Sequence, residues 1–251
     1  MTAAMAVSVL TTLSPGQLRA VLEGDPVRAA PWVRAAAQYG LTQGQVRYGR
    51  MLLDGQGVAR DPVAALAWFT RAAEAGDPEA QNMAGRCHEN GWGTRADFAL
   101  AALWYGRAAQ AGHAWAQYNL GHLHLNGHGV ARDRTQALAW YRRAADQGHA
   151  RAMNLVARCC EQGWGTRADL AAAREAYRRS AEGGYFRGQY NFASLLAAEG
   201  RVAEARPWFE RACDAAPGDS RRLMARALAA ADHPDLCALG RRVLAEAPPP
   251  C

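Results

Sequence analysis

The sequence predicts an all-α solenoid of antiparallel helix pairs, and three observations carry that prediction. A set of residues returns every 36 positions. Each copy holds two segments with the apolar spacing of a helix. Glycines and capping aspartates punctuate those segments at fixed offsets.

The period is the strongest of the three. Trp32, Trp68, Trp104 and Trp140 follow one another at steps of 36. Gly40, Gly76, Gly112, Gly148 and Gly184 keep that step, as do the pairs Gly55/Gly57, Gly91/Gly93, Gly127/Gly129 and Gly163/Gly165. Asp61, Asp97, Asp133 and Asp169 complete the frame. A fifth copy departs from it. Its aromatic pair Trp208-Phe209 follows Ala176-Tyr177 by 32 residues, so its connecting loop is about four residues shorter.

The first helix of a copy is clearest over 114–125, where Leu120 and Leu123 share one side. Gly127 and Gly129 stop it and permit a tight turn. The second helix begins near Asp133, runs through Trp140-Tyr141 towards Gln147 and ends at Gly148. Asp61-Pro62 and Asp77-Pro78 each place a capping carboxylate before a proline at the first helical position, and Asp97, Asp133 and Asp169 cap without the proline. Two helices of roughly 12 to 14 residues bury a face only when a neighbouring pair covers it. The expected organisation is one solenoid over 1–247. Residues 14–41 form a cap and partial repeat, with short helices opened by Ser14-Pro15 and Asp25-Pro26. Five repeats span 42–215, the fifth shortened. Capping helices over 219–230 and 234–247 close the 216–247 segment, and 248–251 form a flexible tail.

Composition narrows the function. The 251 residues carry 29 Lys and Arg against 23 Asp and Glu, a formal charge of +6, and 50% are hydrophobic. That excludes wholesale disorder. No apolar run approaches the 18 residues of an ordinary membrane helix, so no membrane insertion is expected. The charge is too mild for a nucleic-acid binder, and Asp and Glu interrupt the arginines. The N-terminus has no basic segment of the secretory kind, and none of the six cysteines forms a Cys-x-x-Cys pair. A cytoplasmic, reduced protein is the simpler expectation.

The motif residues are Ala116-Gln117-Tyr118-Asn119-Leu120-Gly121, then Gly127-x-Gly129-Val130 and Asp133, then Ala137, Trp140-Tyr141, Ala144-Ala145 and Gly148. Together they resemble the Sel1-like repeat family, a relative of the tetratricopeptide repeat. Copies starting near residues 42, 78, 114 and 150 match well. The copy near 186 keeps Gln189-Tyr190-Asn191-Phe192-Ala193 but lacks the glycine pair, and the helix holding Trp32 matches a second half alone. The resemblance covers about residues 27 to 215. It implies a right-handed superhelix whose first helices line the concave side, and a protein-binding adaptor with no shared catalytic residues.

Equivalent residues then fall in columns. One column is Arg50, Arg86, His122 and Arg158, and the next is Asp54, Asn90, Asn126 and Gln162. A mixed column through Arg47, Met83, Asn119, Leu155 and Asn191 shares that face, and Asn119 and Asn191 can also stitch neighbouring helices together. Guanidinium groups offer forked donors to carboxylates, and amides bond peptide backbone. The columns therefore suit an extended peptide, with acidic side chains or a free carboxylate, in the concave groove. The bland reading is the polar face that any helical protein needs.

Trp68, Trp104, Trp140 and Trp208 are expected in the core, where truncating one costs about 3 to 5 kcal/mol. Trp92 and Trp164 lie between turn glycines, and Trp115 opens a first helix. Trp92 and Trp164 are either surface anchors for a partner or lids over the end of a helix pair, and Trp115 contributes to the same rim. His88, His124 and Cys160 share a column, but a 36-residue step moves one repeat, roughly 10 Å on, whereas zinc ligands approach within about 2.3 Å of one ion. No metal and no cofactor are expected. No phosphate-binding glycine loop follows a strand, and His88-Glu89 lacks the second histidine of a metalloprotease motif. The expected function is a non-catalytic adaptor for a protein or peptide. The alternative is an accessory or regulatory subunit of an enzyme, or a hydrolase with a non-local site.

Overall fold

A computed structural model describes residues 24–246 and, apart from them, Thr12. The expected helix from Ser14 to Glu23 and the tail from Pro248 lie outside the described residues. Those residues form thirteen helices and no strand. The chain divides into two compact units, one up to Arg132 and one from Asp133 onward.

The first unit holds α1 (Pro26–Gln38), α2 (Thr42–Asp54), α3 (Pro62–Glu74), α4 (Pro78–Asn90), α5 (Phe98–Gln110) and α6 (Ala114–Asn126). Each of the first five packs on the helix that follows it. The caps follow the sequence. Asp25, Asp61, Asp77 and Asp97 accept the first free N–H groups of α1, α3, α4 and α5 at 2.8–3.0 Å. At α6 the cap is His113, whose Nδ1 accepts the Ala116 N–H at 3.2 Å. Gly55, Gly91 and Gly127 end the first helices with left-handed backbone.

The second glycine of each turn has a different job. Gly93 has φ 74, and a Cβ there would stand 2.2 Å from the Pro62 carbonyl oxygen. Gly57 and Gly129 meet the backbones of Pro26 and Phe98 in the same way. The bare backbone lets the turn rest on the start of the preceding second helix. The core centres on the second-helix rings. Phe69 and Tyr105 are fully buried, and each ring lies on a first-helix glycine, Gly49 or Gly85, where a Cβ would come within 2.6 or 2.7 Å.

The second unit holds α7 (Arg134–Asp146), α8 (Ala150–Gln162), α9 (Leu170–Glu182), α10 (Phe186–Ala198), α11 (Val202–Ala215), α12 (Gly218–Ala229) and α13 (Pro234–Glu246). Asp133, His149 and Asp169 cap α7, α8 and α9. Between α10 and α11 only residues 199–201 remain, with Gly200 at φ 77, where earlier copies use stretches such as 163–169. Tyr177, Phe209, Leu196 and Ala193 form the core, and Leu228, Leu236, Leu239 and Val243 continue it into the last two helices.

The tryptophans differ from the core expectation. Trp104 is buried, but Trp68, Trp140 and Trp208 are only half-buried. The adjacent Phe69, Tyr105, Tyr141 and Phe209 take the core instead. Each tryptophan lies under the guanidinium three residues on: Arg71, Arg107, Arg143 and Arg211 stand 4.5–5.1 Å from the ring centroids. Adjacent side chains on a helix point in different directions, so where Phe69, Tyr141 or Phe209 faces the core the tryptophan before it covers the rim.

Two substitutions test the turn geometry. Gly93→Ala should lower stability by about 2 kcal/mol, through a strained backbone and the clash with Pro62. Gly106→Ala, in α5 with no atom within 4 Å of the new Cβ, should be neutral or stabilise by up to about 1 kcal/mol. Urea melts of both variants decide this, and equal midpoints would refute the assignment.

Candidate functional site

The expected site residues project from the first helices. In the first unit, Arg50 is exposed on α2, but its guanidinium pairs with Glu79 of α4. Glu79 also takes the Nε2 of His113 at 2.8 Å. Because His113 Nδ1 accepts the Ala116 N–H, its proton sits on Nε2 and is donated to the carboxylate. The His113 hydrogen bond and the Arg50 charge hold the Glu79 carboxyl below the usual carboxylate range, against the opposing effect of burial. Arg50 is thus committed to a partner within the protein, and one carboxylate joins α2, α4 and the cap of α6.

Arg86 on α4 is half-buried. Its guanidinium lies 5.1 Å from the Trp92 ring centroid and 3.6 Å from the Met83 sulfur. Asn90 donates to the Arg86 carbonyl at 2.8 Å, within its own helix. On α6, Trp115, Tyr118 and His122 form an aromatic row, edge to face at 6.0 and 4.7 Å between centroids. Trp115 is 45% exposed, so the row opens to solvent at that end. Asp54 and Asn126 are exposed at the ends of α2 and α6. Asn119 donates to Asn82 at 3.1 Å and joins α6 to α4.

In the second unit, Arg158 is exposed near the end of α8, 5.4 Å from the Trp164 centroid. Gln162 is exposed and donates to Glu161 at 3.4 Å. Asn191 donates to Asn154 at 2.9 Å, repeating the amide pair of the first unit. Trp92 and Trp164 are each half-buried. Each is partly covered and braced by a guanidinium, neither fully exposed nor fully buried as a lid.

Three features escaped the sequence reading. His113 and His149 lie 36 and 72 residues after Asp77, so the capping column itself could have revealed them. The Tyr105 and Tyr177 hydroxyls donate to Glu89 and Glu161 at 2.6 and 3.1 Å, each across 16 residues. Burial and those carboxylates push both phenols up, so they remain donors. Thirdly, the copies alternate. Gly-Trp-Gly-Thr-Arg-Ala-Asp occupies both 91–97 and 163–169, whereas 55–61 and 127–133 read Gly-x-Gly-Val-Ala-Arg-Asp. In the second kind the arginine caps the first helix: Arg60 donates to the Leu53 carbonyl and Arg132 to that of Leu125, at 3.0 and 3.1 Å. In the first kind the tryptophan lies against an arginine of that helix. A step of 72 was the available signal.

The buried thiols are poor nucleophiles. Burial pushes Cys87 and Cys159 up to about 11, which keeps them protonated at neutral pH. Among the described residues, no group of three His, Cys, Asp or Glu side chains is placed to hold a metal ion.

Comparison with known proteins adds the lineage. The model of the Sel1 repeat family matches residues 42–77, 78–113, 116–149, 150–185 and 203–217, more than half of the chain. Two solved structures are similar over 97% of this chain, each with a TM-score of 0.74. One is a protective antigen of uropathogenic Escherichia coli, at 24% identity. The other is a Sel1 repeat protein from Oxalobacter formigenes, at 27% identity. The chain spans 54% of the length of the first and 72% of the second. An immunity protein from Pseudomonas aeruginosa shares the fold at a TM-score of 0.55 and 14% identity, with 82% of this chain and 80% of that one covered. No curated protein sequence matches.

The Glu79 arrangement predicts a pH dependence. A carboxyl held below its unfolded value stabilises the fold above that value, and the contribution disappears as pH falls through the folded one. Glu79→Gln should therefore melt below the parent near pH 7, with the gap closing as the pH drops below about 4. Thermal melts across that range measure it, and a gap independent of pH would exclude the role.

Proposed function

Because the chain belongs to the Sel1 repeat family, whose helical repeats generally mediate protein–protein interaction, we propose that it is a non-catalytic adaptor. It holds a peptide or protein segment against the face of its first helices. The observation that carries this reading is the state of the basic column. Arg50 is neutralised by Glu79, but Arg86 and Arg158 make no ion pair among the described residues and are instead braced on Trp92 and Trp164. A guanidinium packed on an indole keeps its donors ordered and its charge uncompensated, which favours an incoming carboxylate. Asn90, Asn126 and Gln162, with Asp54, supply amide and carboxylate partners for peptide backbone beside it.

The exposed edge of Trp115 and the half-buried Trp92 and Trp164 add apolar anchor area at the rim. The partner is a protein or peptide with acidic character, and no cofactor takes part. The cytoplasm is the compartment that fits the free, buried thiols of Cys87, Cys159, Cys160 and Cys213. Among the described residues no helix is long and apolar enough to cross a membrane.

The test uses the full chain as bait to identify the partner, then measures that purified complex by calorimetry. Arg86→Ala combined with Arg158→Ala should weaken binding by about tenfold or more, the loss expected for charge-assisted hydrogen bonds, while the helical circular dichroism stays unchanged. Unaltered affinity would rule out this column as the binding surface.

A further inference from the structure

The two turn tryptophans differ in what surrounds them. Trp92 lies under one guanidinium, that of Arg86. Trp164 lies under two: Arg158 at 5.4 Å and Arg134 at 5.5 Å. Backbone contact fixes this arrangement. Arg134 opens α7, and Gly165, next to Trp164, sits so close that a Cβ would stand 2.2 Å from the Arg134 carbonyl oxygen. A third guanidinium stands further along the same helix. Arg142 lies eight residues further along α7, and its positive field reaches the Cys159 thiol together with those of Arg134 and Arg158. At the Trp92 turn the positions equivalent to Arg134 and Arg142, 72 residues earlier, are Pro62 and Thr70. The group of three is particular to the second unit.

None of the three arginines makes an ion pair among the described residues. In that unit Arg174, Arg178, Arg201, Arg206, Arg221 and Arg242 all find a glutamate. The acids nearest Arg134 and Arg158 in sequence hold other hydrogen bonds: Asp133 and Asp169 cap helices, and Glu161 accepts the Tyr177 hydroxyl. Arg134 and Arg158 bring two guanidinium groups to one ring with no carboxylate at ion-pair distance, and an anionic ligand placed there is attracted by both.

We infer that Arg134 and Arg158 around Trp164, with Arg142 further along the helix of Arg134, form a seat for clustered carboxylates of an acidic peptide. The inference rests on the adaptor reading and adds to it Arg134 and Arg142, which lie on a second helix outside the first-helix column. A peptide fits better than a nucleic acid because the indole is already engaged by two cations and offers no free platform for base stacking.

The experiment uses the full chain and a fluorescein-labelled peptide of alternating Glu and Asp, with its Gln and Asn counterpart as control, read by fluorescence anisotropy. The acidic peptide should bind and the amide peptide should not. Arg134→Gln combined with Arg142→Gln should weaken the acidic peptide by about tenfold or more, with helical content and melting temperature unchanged. Unchanged affinity in that variant overturns the seat. So does single-stranded DNA of equal charge displacing the peptide more strongly than unlabelled peptide does. Arg86→Ala separates the two readings. Loss in the Arg134/Arg142 variant without loss in Arg86→Ala keeps the seat and removes the groove, and the reverse pattern removes the seat alone.

Discussion

Each repeat depends on one contact, an aromatic ring from the second helix seated where the first helix has almost no side chain. Gly49 receives Phe69 and Gly85 receives Tyr105, with no room for a methyl group. In the second unit the buried clusters hold Tyr177 with Ala157 and Phe209 with Ala193. Burying such a ring supplies several kcal/mol, and a repeat too short to stand alone has few other sources of that size. The small residue sets how closely the two helices approach. That spacing then decides which neighbouring side chains go in and which go out.

The half-buried tryptophans follow from it. With the ring at 69, 141 or 209 pointing inward, the preceding tryptophan turns to the rim. Arginine three residues later covers it, since that spacing places the two on one helix face. The turns obey a similar economy. A second glycine in each turn lets the chain lie directly on the backbone of the preceding second helix, and the residue between the glycines is thereby held at the edge. When that residue is tryptophan, as at 92 and 164, an indole is presented beside the arginine column in a fixed position. Scaffold and candidate recognition surface thus share the same few residues.

The polar interior divides between structure and recognition. Glu79 spends its charge on Arg50 and His113, the Asn82–Asn119 and Asn154–Asn191 pairs join neighbouring first helices, and Glu89 and Glu161 hold tyrosine hydroxyls. Apart from the exposed Arg50, these groups are buried or half-buried, and an unmet donor or acceptor there would cost stability. The arginines at the tryptophan turns differ from these groups: they make no ion pair among the described residues and lie against an indole. The family membership agrees with an interaction role, and the resemblance to the structures from Escherichia coli and Oxalobacter formigenes concerns the fold.

Order along the chain was enough to establish the 36-residue period, the helix pairs, the aspartate caps and the glycine turns. These are local matters of backbone conformation and spacing, and the same residues impose them wherever the helices lie. Side-chain partnership was another matter. Arg50 and Arg86 occupy the same column and look alike as letters, yet one is cancelled by Glu79, 29 residues away, and the other rests uncancelled on Trp92. His113 stands in the capping column of the sequence, but its second nitrogen meets the carboxylate of another helix only once the helices pack. Which charges remain available depends on distances between helices, and those come into being only when neighbouring repeats pack.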